Sequence, residues 1–167
     1  CPDRKAVFGN PSLRQCAGRC SKVIQRLSRF RPPRGDIWGR MSTTRVEFIG
    51  TGTSQGVPVI GCTCAVCKST DTRDKRLRTS ALVRTNGATL LIDAGPDLRQ
   101  QMLRAGVEHL DAVLLTHEHM DHVAGIDDLR AFNFRQQRAM DIHANEATLE
   151  AVRRTFHYAF AKDKYPG

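Results

Sequence analysis

Polar and apolar residues alternate through Arg45-Val46-Glu47-Phe48-Ile49, a period of two that predicts a strand. Gly50-Thr51-Gly52-Thr53-Ser54-Gln55-Gly56 breaks the alternation and predicts a tight loop with close backbone approach. Two apolar runs, Ser80–Arg84 and Thr89–Ile92, flank Asn86-Gly87, a pair that favours a two-residue hairpin turn. The second run ends at Asp93-Ala94-Gly95-Pro96. Pro96 or Asp97 then opens a helix through Leu98, Met102 and Leu103 that stops at Gly106. Ala112–Leu115 predicts a short buried strand. A helix follows from near Ile126 to Phe134, then a strand at Asp141–Ala144, then a helix from Glu146 to Tyr158 capped by Asn145. Strands alternating with helices predict an α/β, or layered α+β, fold.

At 167 residues, with 40% apolar and 26% charged positions, the chain has the size and composition of one folded domain. It has no apolar run long enough for a membrane-spanning helix, so no membrane partner is expected. The formal charge of +9 invites a nucleic-acid reading until it is mapped. Residues 1–40 carry ten Lys/Arg against two Asp/Glu, and residues 41–167 carry sixteen against fifteen. The body is therefore nearly neutral, which argues against a nucleic-acid partner.

Residues 1–40 read as a basic leader and residues 41–167 as the folded body. The leader is arginine-rich, contains Pro32-Pro33 and the isolated Cys16 and Cys20, and precedes the first methionine, Met41. It is expected to be disordered, or to be upstream sequence read in frame with Met41 as the start. An arginine-rich transit peptide and a basic nucleic-acid arm are the alternatives. Val23, Ile24, Leu27 and Phe30 have the spacing of a short amphipathic helix.

The chemistry concentrates in His117-x-His119-x-Asp121-His122, directly after the apolar strand. Three imidazoles and a carboxylate within six residues are the donors that a divalent cation needs. A spacing of two puts His117 and His119 on one side of an extended segment. The adjacent Asp121 and His122 can reach a second point from a loop, which suggests two metals. The i,i+4 spacing of a helical zinc-protease site is absent. The glycine loop nearly matches a dinucleotide fingerprint, but its third glycine falls one place late and Pro58 blocks an immediate helix.

Of six cysteines, Cys62, Cys64 and Cys67 fall together in the body. Such tight spacing favours thiolate ligation of a structural zinc over disulfides, and suits a reducing, cytoplasmic compartment. Three reduced buried thiols are the alternative. A fourth ligand must come from elsewhere.

With Leu91-Ile92-Asp93-Ala94-Gly95 upstream, the His/Asp motif resembles the metallo-β-lactamase superfamily. Gly50–Pro58 and the cysteine triplet narrow the resemblance to the branch containing the phosphonate-pathway phosphodiesterase, which acts on phosphoribosyl 1,2-cyclic phosphate. It covers Thr44 to Gly167. It implies a fold that is the N-terminal half of a two-halved αββα sandwich, truncated. Two more His, a bridging Asp and a late His for the structural zinc are expected beyond Gly167, and the isolated half is expected to be inactive with one sheet face uncovered.

The resemblance implies that His117 and His119 hold one metal and Asp121 and His122 a second, zinc or manganese. It implies that Cys62, Cys64 and Cys67 hold a structural zinc, and that Asp93 orients a ligand; a turn or helix-cap aspartate is its alternative. The implied reaction is hydrolysis of a small cyclic phosphate ester by hydroxide formed between the two metals. Asp121 would also orient the nucleophile. Arg130, just beyond the motif, would reach the substrate phosphate, or else is an ordinary solvated helix arginine. A tRNA 3′-processing-type endonuclease is the runner-up, and an incomplete, non-enzymatic chain the third reading. A homodimer stays open. His109, His143 and His157 read as surface or structural residues.

Overall fold

The computed structural model of the chain describes residues 26–29 and 43–160. Six strands make one sheet: β1 (Arg26–Arg29), β2 (Arg45–Gly50), β3 (Ser80–Thr85), β4 (Ala88–Ile92), β5 (Ala112–Leu114) and β6 (Asp141–Ala144), in the order β1-β6-β5-β4-β3-β2. Strands β2, β3 and β4 run antiparallel, while β4, β5, β6 and β1 run parallel. The helices are α1 (Ala65–Lys68), α2 (Leu98–Arg104), α3 (Met120–Val123), α4 (Arg130–Gln136), α5 (Glu146–Thr155) and α6 (His157–Phe160). Of the basic leader, only β1 falls within the described residues, so the expected disorder or upstream origin of residues 1–40 lies largely outside them. Val23, Ile24 and Phe30 of the expected amphipathic helix are outside too, and Leu27 sits in β1 rather than in a helix.

The hairpin forms where Asn86-Gly87 predicts it, with both residues at positive φ (49° and 80°), the twist that a two-residue turn requires. Parallel neighbours cannot be joined by a hairpin, so helices cross over between β4, β5 and β6. Strand register puts Leu82, Leu91, Val113 and Ile142 side by side on one face, and all four are fully buried. Leu98, Met102, Ile126, Leu129, Phe132 and Val152 pack with them in one cluster. The other face carries Val46, Phe48, Leu90, Ile92 and Leu114. Phe48 is 73% exposed and Val46 54%, so at β2 this apolar face has no cover among the described residues, while Leu90, Ile92 and Leu114 are half-buried.

Three boundaries differ from the sequence reading. The helix expected from Ile126 starts as a 3-10 turn, Ile126–Leu129, and continues as α4 to Gln136. The segment expected as a loop at Asp121–His122 is the helical turn α3. The long C-terminal helix breaks at Phe156, whose ring enters the core.

Candidate metal centre

Ile92 lies beside Leu114 in the parallel pair β4 and β5, so both strands end at the same edge of the sheet. This edge is where open α/β sheets gather functional groups. Asp93 leaves β4 there at φ 61°, a backbone state unusual for a non-glycine residue. The turn buries its carboxylate to 4% exposure. Ser80 Oγ donates to the Asp93 carbonyl at 2.9 Å, and the Asp93 N–H donates to the Leu114 carbonyl at 2.9 Å.

That carboxylate organises the motif. His122 Nδ1 lies 2.8 Å from Asp93 Oδ2. The Thr116 N–H donates to Oδ1 at 2.8 Å, and the Thr116 hydroxyl lies 2.8 Å from Oδ2. The same hydroxyl lies 2.9 Å from His117 Nδ1. With its one proton donated to Asp93, the Thr116 oxygen accepts from His117 Nδ1–H. His117 then keeps Nε2 as the nitrogen with an open lone pair, and His122 is held through Nδ1, the arrangement by which outer hydrogen bonds orient metal-binding histidines.

The rings cluster. His117 and His122 have centroids 4.0 Å apart, and His117 and His119 lie edge to face at 4.6 Å. Asp121 Oδ2 is 3.2 Å from His122 Nε2. His119 caps α3, whose single turn swings Asp121 and His122 back toward the strand end. The structure thus brings together His117, His119, Asp121, His122 and Asp93. Three imidazoles and a carboxylate are donor types that divalent cations accept, although among the described residues it is the cysteine group whose donor atoms all lie within 4.8 Å of one another.

Arg130 is not drawn into this cluster. It opens α4, is 56% exposed, and meets Asp127 at 3.5 Å. Asp127 also accepts from the Tyr158 hydroxyl at 3.0 Å. His109 pairs with Asp111 at 3.1 Å, His143 lies in β6, and His157 is exposed on α6. Thr116 and Ser80, which hydrogen-bond Asp93, are positions that the sequence reading missed. A hydroxyl residue carries no periodicity signal, although Thr116 adjoins the motif.

Cys62, Cys64 and Cys67 form a second group, their sulfurs all within 4.8 Å of one another. Cys62 and Cys64 are exposed and Cys67 is half-buried, so the alternative of three buried thiols does not describe them. The Cys67 N–H donates to Cys64 Sγ at 3.5 Å, and the Val59 N–H donates to Cys67 Sγ at 3.4 Å. The Cys67 N–H, with the neighbouring thiols, lowers the Cys64 pKa to about 7. At Cys67 the Val59 N–H favours the thiolate, but the adjacent thiols and desolvation outweigh it and raise the pKa. One thiolate ready near neutral pH beside two further sulfurs is a donor set that zinc accepts.

Two predictions arise here. Thr116→Val removes the hydroxyl with little change of shape. It is expected to cost about 1 kcal/mol in urea-melt stability and to weaken metal binding at the His/Asp group ~10-fold by competition titration. Cobalt added to the cysteine group is expected to give a thiolate charge-transfer band. Cys64→Ser should weaken that band, since two thiolates remain, and lower affinity ~100-fold.

Residues 88–167 match the family described as the β-lactamase superfamily domain. The chain is 52% identical over 124 residues to an octanoyltransferase of Porphyromonas gingivalis, covering 74% of this chain but 25% of that protein. It is 42% identical over 82 residues to ribonuclease Z of Bradyrhizobium diazoefficiens, covering 47% of this chain and 27% of that one. Among solved structures, a diphosphatase of the PhnP family matches at 44% identity and a TM-score of 0.68, over 72% of this chain and 48% of that one. The chain therefore spans about half the length of the diphosphatase and about a quarter of the two curated relatives. No described helix is long and apolar enough to cross a membrane. Residues 88–167 thus carry the β-lactamase superfamily domain, and the shared arrangement of sheet and helices gives the chain the metallo-β-lactamase fold.

Proposed function

We propose that this chain carries the first half of the active site of a metal-dependent phosphodiesterase acting on a small cyclic phosphate ester. The observation that carries the reading is the grouping of His117, His119, Asp121 and His122 at the shared end of β4 and β5, with two rings oriented through Asp93 and Thr116. His117 and His119 would hold one divalent cation, and Asp121 and His122 a second, zinc or manganese. Such ions supply Lewis acidity at the phosphoryl oxygens and lower the pKa of bound water. Asp93 fixes His122, Thr116 fixes His117, and Asp121 accepts a hydrogen bond from the attacking nucleophile. Arg130, exposed beyond the motif, is the residue proposed to meet the substrate phosphate on release from Asp127. Cys62, Cys64 and Cys67 would hold a structural zinc.

The near-neutral body favours a small substrate over tRNA, because polynucleotide affinity rests on a basic face. The similarity to ribonuclease Z keeps the nuclease reading as the second one, and the diphosphatase relative adds a phosphoanhydride as a substrate to compare. The test is a substrate panel on the full-length protein with zinc or manganese: a furanose 1,2-cyclic phosphate, a nucleoside diphosphate derivative and a precursor tRNA. The cyclic ester is expected to give the highest kcat/KM. Preferred 3′ cleavage of the tRNA, with salt-sensitive binding, would replace this reading with the nuclease. Weak or absent metal binding at the His/Asp group of this chain, measured by stoichiometry, would support the reading of an incomplete, non-enzymatic chain.

A further inference from the structure

We propose that Arg78 and Asp97 form a clamp that holds the glycine-rich loop, residues 50–56, in register with the His117–His122 loop, and so act as positioning residues for the substrate side of the site.

Every group of Arg78 that the clamp requires is engaged. Its N–H donates to Asp97 Oδ2 at 2.8 Å, and its Nη1 donates to Asp97 Oδ1 at 2.9 Å. Its Nε donates to the Ser54 carbonyl at 2.9 Å, and its carbonyl accepts from Gln101 Nε2 at 2.8 Å. One residue therefore ties the tip of the glycine loop to the start of α2. Asp97 occupies the N-cap position of α2, yet its side chain makes no capping bond. An aspartate there ordinarily satisfies the N–H groups of its own helix. Here the carboxylate is turned to Arg78 instead. The two side chains are 27% and 17% exposed, so the pair is shielded more than a surface ion pair.

The clamp joins two backbones that are already braced. On one side, the Gly52 N–H donates to the Leu77 carbonyl at 2.7 Å, and Thr79 Oγ1 donates to the Gly52 carbonyl at 2.9 Å. A Cβ at Gly50 would overlap the Arg78 carbonyl, so only glycine allows this approach. On the other side, Asp97 ends the segment that begins at Asp93. Asp93 holds His122 and Thr116, and the Ala94 N–H donates to the His122 carbonyl at 2.7 Å. Gly95 abuts the Asp121 backbone. Five consecutive residues thus grip the His/Asp loop at one end and, through Arg78, the glycine loop at the other. That loop presents Thr51, Thr53, Ser54 and Gln55 to solvent, groups able to hydrogen-bond a polar ligand.

The exposed pair Arg73–Asp71 is the control, since its partners are two residues apart and join no separate elements. Hydrogen exchange in the full-length protein compares wild type with Asp97→Asn, Arg78→Lys and Asp71→Asn. Exchange over residues 50–57 is expected to rise ~10-fold in the first two variants and not in the third, with β5 unchanged. Unchanged exchange over 50–57 in both clamp variants overturns the proposal. A uniform rise through β5 as well also overturns it, because that reports global destabilisation.

A kinetic arm rests on the phosphodiesterase reading. KM is expected to rise ~10-fold with kcat within about twofold and metal content unchanged, and the double variant to be no worse than the worse single one. Additive losses overturn the coupling. If the wild type turns over no substrate, the phosphodiesterase reading falls, while the exchange result still decides the clamp.

Discussion

Replacing His119 with alanine in the full-length protein is expected to lower kcat/KM for the cyclic ester at least ~1000-fold while leaving metal-free stability near that of wild type. The expectation follows from what the ring does in the fold. His119 Nδ1 and Nε2 make no hydrogen bond among the described residues; its recorded contact is the edge-to-face one with His117. It is exposed at the N-cap of α3. Truncating it removes a proposed ligand and almost no packing, so the loss reads the chemistry rather than the fold. His122 is a poorer probe, because its loss also strips the buried Asp93 of a partner at 2.8 Å. Metal content by mass spectrometry should fall alongside turnover. Wild-type turnover with full metal occupancy would remove His119 from the site.

Gly95→Ala is expected to destabilise the chain by about 3 kcal/mol or more, read as a lower urea midpoint. A Cβ at Gly95 would overlap the carbonyl of Asp121, a backbone atom with no flexible end to yield. That backbone is also pinned. The Ala94 N–H donates to the His122 carbonyl at 2.7 Å, and the Gly125 N–H donates to the Ala94 carbonyl at 2.8 Å. The two loops at the strand ends are thus sewn together with no room between them. Gly61→Ala makes the comparison: its φ of +74° is strained for alanine, but no atom lies near its Cβ. It should cost about 1 kcal/mol, the ordinary penalty for that backbone state. Equal losses at Gly61 and Gly95 would show that the Gly95 contact is not tight.

The two predictions separate what the site needs chemically from what it needs sterically. The role proposed for His119 needs no hydrogen bond from its own ring, because Asp93, Gly95 and Gly125 already fix the loop around it. A hydrogen-bonded carboxylate and two backbone contacts set the loop, so the imidazoles need not hold their own positions. This is the preorganisation that a ligand site gains from the residues behind it.

Much of this was determined locally and could be read along the chain. The alternation at Arg45–Ile49, the Asn86-Gly87 turn and the apolar runs around it specify strands because their period and turn chemistry are properties of neighbouring residues. The His/Asp motif and the cysteine triplet are legible for the same reason: their members are close in sequence, so spacing alone brings their side chains near one another. Local pattern could not show that Asp121 and His122 sit on a helical turn, because one turn has too few residues to display a period. Nor could it show that Thr116 completes the hydrogen bonds of Asp93, 23 residues away, or that Arg78 reaches Asp97 and Ser54 across 19 and 24 residues. Those contacts exist because β4 and β5 are parallel and end together, and because the glycine loop folds back on the segment leading into β3. Sequence supplied the donors and their tight spacing. Tertiary structure chose which nitrogen of His117 stays open, which carboxylate is buried behind it and which sheet face carries the packed core, since each depends on atoms that only the packed sheet brings within reach.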